Sequence, residues 1–165
     1  MTVKDAASPA KSEQKLTDKV KCIFALGYPG CGIGGYCSKL ACDYDFVHLS
    51  VDNLLESEGL SDKPVRGNVI VELLKKQMHK SGWDGKTFLI EGFPRNIEQL
   101  FAWIKTMAMH VDVKFVLHLD GTGGPSALVN EFVVKTLPII GLYEKMEKTR
   151  KVEASGSEDE VYAQI

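Results

Sequence analysis

The 165-residue sequence contains no long hydrophobic run. No apolar stretch approaches the roughly 20 residues that a membrane-spanning helix needs, and residues 1–19 lack the apolar segment of a signal peptide. The sequence therefore predicts a soluble, cytoplasmic protein with no membrane partner. Residues 1–19 also carry almost no large apolar side chains, so they cannot offset the entropy lost on ordering, and we expect a flexible tail there.

A strong charge of either sign is also missing. The formal net charge is −2, and the basic residues form nothing longer than short pairs such as Lys75 and Lys76, so the composition predicts no nucleic-acid partner. The four cysteines include no Cys-x-x-Cys pair, and no pair of histidines lies near them to complete a zinc site. We therefore expect reduced, mostly buried thiols, with neither a disulfide framework nor a metal site.

The sequence does contain enough apolar residues, 44%, to bury one core, so we expect residues 20–165 to form one domain. Short apolar runs alternate with helical patterns, which predicts an α/β fold with a parallel sheet and helices on both faces. Pro138 should kink the longest helix near Leu137. The candidate strands are 21–26, 46–50, 86–92, 113–120 and 150–155, and the candidate helices are roughly 34–44, 51–58, 65–80, 97–109, 126–147 and 158–165.

A glycine-rich segment, ALGYPGCGIGGYC (25–37), lies between the first strand and the first helix. Gly27 and Gly32 have the spacing of a phosphate-binding loop, in which the second glycine is followed by Lys and then Ser or Thr. Ile33 and Gly34 stand at those two positions. The backbone N–H groups of such a loop and helix N-terminus attract an anion without any side chain. A glycine-rich turn without a ligand is the alternative. The candidate phosphate-binding residues are Gly27, Pro29, Gly30, Cys31, Gly32, Ile33, Gly34 and Gly35.

A second motif, GFPR, lies in FLIEGFPRNIEQL (88–100). With the glycine-rich segment and FVHLSVDNLLESE (46–58), it gives the chain, from about Lys21 to its C-terminus, a pattern that resembles the nucleoside monophosphate kinases. The short adenylate kinases and the uridylate-cytidylate kinases are the most similar groups. The resemblance implies a P-loop NTPase-like, three-layer fold with five parallel strands, Mg-ATP as phosphoryl donor and a nucleoside monophosphate as acceptor. It also implies that Gly92 and Arg95 lie at the acceptor phosphate and that Gln99 contacts the acceptor base.

Several departures from the family pattern affect substrate contacts. The lysine and threonine of the phosphate loop are Ile33 and Gly35 here, and the arginine of the family's LLR motif is Glu56. The sequence SVDN (50–53) replaces a small-residue and Gly-Asp pattern. The family's lid is absent, because HLDG runs through TGGPSALVNEF directly into the last long helix, and residues 57–68 are too few for the usual acceptor-binding helices.

These departures predict a degenerate kinase, catalytically inactive or very weak, that retains weak nucleotide or phosphate binding. We expect Ile33 to pack over the former phosphate pocket or to face a partner. Two alternatives stay open. One is an active nucleoside monophosphate kinase that uses ATP and recruits a lysine such as Lys39 or Lys63. The other is a protein-interaction scaffold that binds no nucleotide.

Overall fold

A computed structural model describes residues 19–121 and 126–165, so most of the expected tail lies outside the described residues. Five strands form one sheet in the order β2-β3-β1-β4-β5, and every neighbouring pair is parallel. The predicted parallel α/β fold is confirmed, and each predicted strand is within two residues of the observed bounds. The strands are β1 (Val20–Gly27), β2 (Val47–Ser50), β3 (Thr87–Glu91), β4 (Val111–Asp120) and β5 (Thr149–Glu153).

The helices cover both faces of this sheet, which is why the central strand is buried along most of its length. In β1, Phe24 packs into a core formed with the helices after β2 and β3, whereas Ile23 points into a second core beneath the first and last helices. The helices are α1 (Ile33–Tyr44), α2 (Val51–Ser57), α3 (Gly67–Lys80), α4 (Ile97–Met107), α5 (Ser126–Glu131), α6 (Leu137–Lys145) and α7 (Glu158–Gln164).

The larger core is centred on aromatic side chains. Phe24 meets Trp103 edge to face, with 5.1 Å between ring centroids, and also contacts Phe93 and Tyr143. All four side chains are more than nine-tenths buried. Because Phe93 belongs to the GFPR motif, the core fixes the segment that leads from β3 into α4.

The long helix predicted over 126–147 is divided into three parts. A π-helical segment, Phe132–Thr136, separates α5 from α6, and Pro138 lies in the first turn of α6, where its missing N–H costs no helical hydrogen bond. The break therefore falls at the predicted place. The Thr136 hydroxyl donates to the carbonyl oxygen of Arg95 over 2.7 Å, so the π-helical segment is tied to the GFPR loop.

None of the helices in the described parts of the chain combines the length and the apolar character that crossing a membrane would require.

Candidate functional site

A cavity of about 650 Å³ opens at the carboxyl ends of β1 and β3. Parallel α/β sheets bind ligands at this end. Nine of the eleven residues proposed from the sequence line it, and the other two, Gly34 and Gly35, lie in the first turn of α1. The nine are Gly27, Pro29, Gly30, Cys31, Gly32, Ile33, Gly92, Arg95 and Gln99.

The glycine-rich loop is a tight turn built on backbone conformations that favour glycine. Gly30 and Gly32 have φ angles of 90° and 76°, and the Cys31 N–H donates to the carbonyl oxygen of Tyr28 over 3.2 Å. Gly27 is required for another reason, because a Cβ there would collide with Cys31 Sγ. The loop therefore folds back over the end of β1, with the N-terminus of α1 following directly.

Ile33 packs against this loop. Its Cδ1 lies 3.4 Å from the point that a Cβ on Gly27 would occupy, and its half-buried side chain adds to the second core. Ile33 therefore lies over part of the cavity beside the glycine-rich loop. The position at which the family pattern has a lysine thus presents an apolar side chain to the cavity.

Arg95 is paired with a carboxylate inside the cavity. Its Nη1 and Nη2 donate to Asp52 Oδ1 and Oδ2 over 3.0 and 2.9 Å, which is a bidentate contact. The guanidinium lies over Gly92, where a Cβ would be only 2.7 Å from Nη2. The same two nitrogens, Nη1 and Nη2, form the planar fork that suits a phosphate. The contact with Asp52 therefore occupies the atoms that a phosphate would use.

The partner of Arg95 was not identified from the sequence. Glu56, which stands at the arginine of the family's LLR motif, is exposed and is not among the residues that line the cavity. Asp52, one helical turn earlier in α2, lines the cavity instead. The signal was available in SVDN, where Asp52 stands in a segment that usually has Gly-Asp, but only the fold shows that its carboxylate reaches Arg95.

Gln99 supports the backbone of Arg95. Its Oε1 accepts a hydrogen bond from the Arg95 N–H over 2.8 Å, and its own backbone N–H donates to Oδ1 of Asn96, which caps α4. Only 8% of Gln99 is exposed. The residue proposed to contact a base is thus also part of the structure that positions Arg95.

Of the two lysines considered from the sequence as replacements, only Lys63 lines the cavity. Lys39 Nζ lies 4.1 Å from the centre of the Tyr162 ring, on the surface formed by α1 and α7. Lys135 is a further cavity cation, which sequence reasoning missed, and its Nζ lies 3.3 Å from Glu131 Oε1.

A cluster of three polar side chains lies behind the loop. His48 Nε2 is 2.8 Å from Glu91 Oε1, and the Cys37 thiol completes a group whose ligand-type atoms all lie within 4.8 Å of one another. Burial, with the charge of Glu91 nearby, raises the pKa of the Cys37 thiol. Sequence spacing predicted no metal-ligating set, because these residues come from α1, β2 and the end of β3, and only the fold brings them together.

Comparison with known proteins gives a consistent result. The protein-family model described as "AAA domain" matches residues 26–122. The UMP-CMP kinase of Bos taurus is 32% identical over 187 residues, covering 89% of this chain and 95% of that protein. Those of Mus musculus and Homo sapiens are each 32% identical over 183 residues, covering 87% of this chain and 93% of their own. Since 89% of 165 residues is about 147, about 40 of the 187 aligned positions have no residue in this chain.

Proposed function

Because the chain belongs to the nucleoside monophosphate kinase family, we propose that it is a degenerate member of that family. In this proposal the cavity at the ends of β1 and β3 binds a nucleotide or phosphate weakly. Phosphotransfer from ATP to a nucleoside monophosphate is lost or very weak.

The observation that carries the proposal is the bidentate contact between Arg95 and Asp52. By resemblance, Arg95 is the residue that grips the acceptor phosphate. A phosphate that approaches it must displace a carboxylate of the same chain and must also approach that carboxylate's negative charge. Because both side chains are partly exposed, the pair itself is worth about 0–1 kcal/mol. We infer that it weakens acceptor binding severalfold rather than abolishing it.

The phosphate loop supports the same proposal, because it suits an anion better than magnesium triphosphate. The N-terminus of α1 follows the glycine-rich loop directly, and the backbone N–H groups of a helix N-terminus attract a phosphate. Ile33 at the lysine position, and Gly34 and Gly35 at the positions where a hydroxyl would stand, supply no side-chain donor or metal ligand. A transition-state contact of the kind that a lysine makes is typically worth about 3–4 kcal/mol. The side chains of the loop therefore do not fit Mg-ATP fully.

The short connections of the chain are a third line of support. Only five residues separate β4 from α5, at the place where the family pattern inserts a lid, and nine separate α2 from α3. The roughly 40 aligned positions without a residue in this chain agree with shortened segments. Without a lid, water is not excluded from the cavity, and the closing step that completes such active sites is missing.

A specific observation favours a second candidate, an active kinase. Lys63 and Lys135 line the cavity together with Arg95, so three cations face the region in which phosphates would bind. Phosphotransfer with Mg-ATP that is lost in Lys63→Ala would support this candidate over the first.

Calorimetric titration of two matched variants tests the proposal. Asp52→Asn and Glu56→Gln each remove one negative charge from α2, one helical turn apart, but only Asp52 contacts Arg95. We expect Asp52→Asn to tighten binding of UMP, CMP or AMP by about three- to tenfold, and Glu56→Gln to change it less than twofold. ATP should bind more weakly than micromolar in every variant.

The same proteins are then assayed for phosphotransfer with Mg-ATP and each monophosphate. Robust turnover by the unmodified chain would overturn the proposal. Equal tightening by both variants would show that the total negative charge of α2, rather than the pair with Arg95, controls binding. A complete absence of nucleotide and phosphate binding would favour the interaction scaffold.

A further inference from the structure

Cys37, His48 and Glu91 supply a thiol, an imidazole and a carboxylate at one point beneath the phosphate loop. We propose that these three side chains bind a zinc ion, with a water molecule in the fourth position. The site is separate from the contact between Arg95 and Asp52, and it needs no nucleotide, so it does not depend on the proposed function.

The spacing of the three side chains fits a small tetrahedral ion. With metal–ligand distances of about 2.0–2.3 Å, the ligand atoms of a tetrahedral zinc site lie about 3.3–3.7 Å apart. The cluster lies close to this before any ion is added, because His48 Nε2 and Glu91 Oε1 are 2.8 Å apart and no pair of ligand atoms exceeds 4.8 Å. Binding requires the first pair to open by less than about 1 Å and the others to close by at most about 1.5 Å.

The ligand types select zinc over magnesium. Thiolate and imidazole are preferred by Zn²⁺ and its neighbours in the first transition series, whereas Mg²⁺ takes oxygen ligands almost exclusively. Loading the site would release the thiol proton of Cys37, so affinity should rise with pH. This dependence distinguishes the site from adventitious binding by surface carboxylates, which are already ionised at neutral pH.

The burial of Cys37 is compatible with binding of a metal ion but not with catalysis by its thiol. A Cys, His and carboxylate group also resembles a nucleophilic triad, but Cys37 has no exposed surface and no substrate could reach its sulfur. An ion is much smaller, and Glu91 lines the cavity, which gives a route from solvent to the cluster. The side chains of His48 and Glu91 are only 21% and 15% exposed, so an ion bound to them would be largely shielded from solvent.

Cobalt and zinc titrations of the full chain, after removal of metals with a chelator, test this inference. We expect one Co²⁺ per chain, an absorption band from the thiolate–cobalt bond, displacement by Zn²⁺, and a higher melting temperature for the zinc-loaded protein. A stoichiometry well below one, or cobalt binding without the thiolate band, would overturn it.

Variants identify the ligands. Glu91→Gln, His48→Gln and Cys37→Ser should each weaken zinc binding at least about tenfold, while Cys42→Ser, which removes an exposed thiol from the same helix, should leave affinity and the thiolate band unchanged. If Cys37→Ser does not fold, the other two variants carry the test, with melting in chelator as the check on folding. Unchanged affinity in Glu91→Gln and His48→Gln, or loss of the band in Cys42→Ser, would refute the site.

Discussion

Ile33 begins helix α1, at the position where the family pattern has a lysine. Its apolar side chain packs on the glycine-rich loop. Replacing it with alanine would remove apolar contacts with the second core and leave a small void beside Gly27. We therefore expect Ile33→Ala to lower the free energy of unfolding by about 1–2 kcal/mol, measured by urea denaturation.

Ile97 offers a matched control for that measurement. It also follows a helix N-cap directly, but it is 48% exposed and begins α4 on the surface. Ile97→Ala should change stability by no more than about 0.5 kcal/mol. Equal effects at the two positions would mean that the packing of Ile33 on the loop contributes nothing, and that the loop did not close around an apolar side chain.

We expect the stability of the protein to depend on pH through His118. It is buried on β4, and within residues 19–121 and 126–165 its Nε2 finds no hydrogen-bond partner. Burial lowers the pKa of His118, an effect that Asp120 opposes and Lys151 reinforces. In the unfolded chain the imidazole has a pKa near 6.5 and takes up a proton more readily, so stability must fall as the pH drops below that value.

The expected contribution is a loss of up to about 1.4 kcal/mol per pH unit below pH 6.5. Urea denaturation at pH 7.5, 6.5 and 5.5 measures it, and His118→Gln should show a shallower decline than the unmodified chain. The slopes of stability against pH are compared, and not the stabilities themselves, because the substitution also changes packing at every pH. Parallel pH curves for the two proteins would show that His118 is not the group that titrates.

At the scale of elements, helix α7 depends on its first turn. It has only seven residues, too few to be stable alone, and it is held by the buried side chain of Val161 and by a capping box. In that box the Ser157 hydroxyl accepts from the Glu160 N–H, and the Glu160 carboxylate accepts from the Ser157 N–H. We expect Ser157→Ala to lower the free energy of unfolding by about 1 kcal/mol in chemical denaturation.

The control is Ser155→Ala in the same connection, two residues earlier, where the side chain is exposed and precedes the cap. This change should be within about 0.5 kcal/mol of the unmodified protein. A similar loss in both variants would assign the effect to the loop and not to the cap.

At the scale of the molecule, the sheet was predictable because its strands are short, apolar and separated by clear helical patterns. Phe24 and Ile23 point into different cores, and an unbroken apolar run is the direct signature of that burial on both faces. The loop was predictable because Gly27 and Gly32 carry its spacing. Helix boundaries near Pro138 were predictable from the chemistry of proline.

The contacts between side chains that are distant in the sequence were not predictable in the same way. Asp52 and Arg95 are 43 residues apart, as are His48 and Glu91, and each pair meets only because the fold brings the ends of neighbouring strands together. Composition and spacing along the chain report which groups are present. They do not report which of two nearby carboxylates, Asp52 or Glu56, turns toward the arginine.

The losses that we propose are spread over the whole molecule, so no single restoration should return a kinase. Ile33→Lys supplies a cation to the loop, and Asp52→Gly frees Arg95, but five residues between β4 and α5 are too few for a lid. We expect the double variant to bind ATP and a monophosphate more tightly than the unmodified chain in calorimetry, which would show that it is folded. In a coupled assay its turnover should remain at least about a thousandfold below that of the Bos taurus UMP-CMP kinase assayed in parallel, since each missing transition-state contact costs about a hundredfold or more. Turnover within tenfold of that relative would mean that the loop and Arg95 alone account for the difference, and that closure over the cavity is dispensable in this chain.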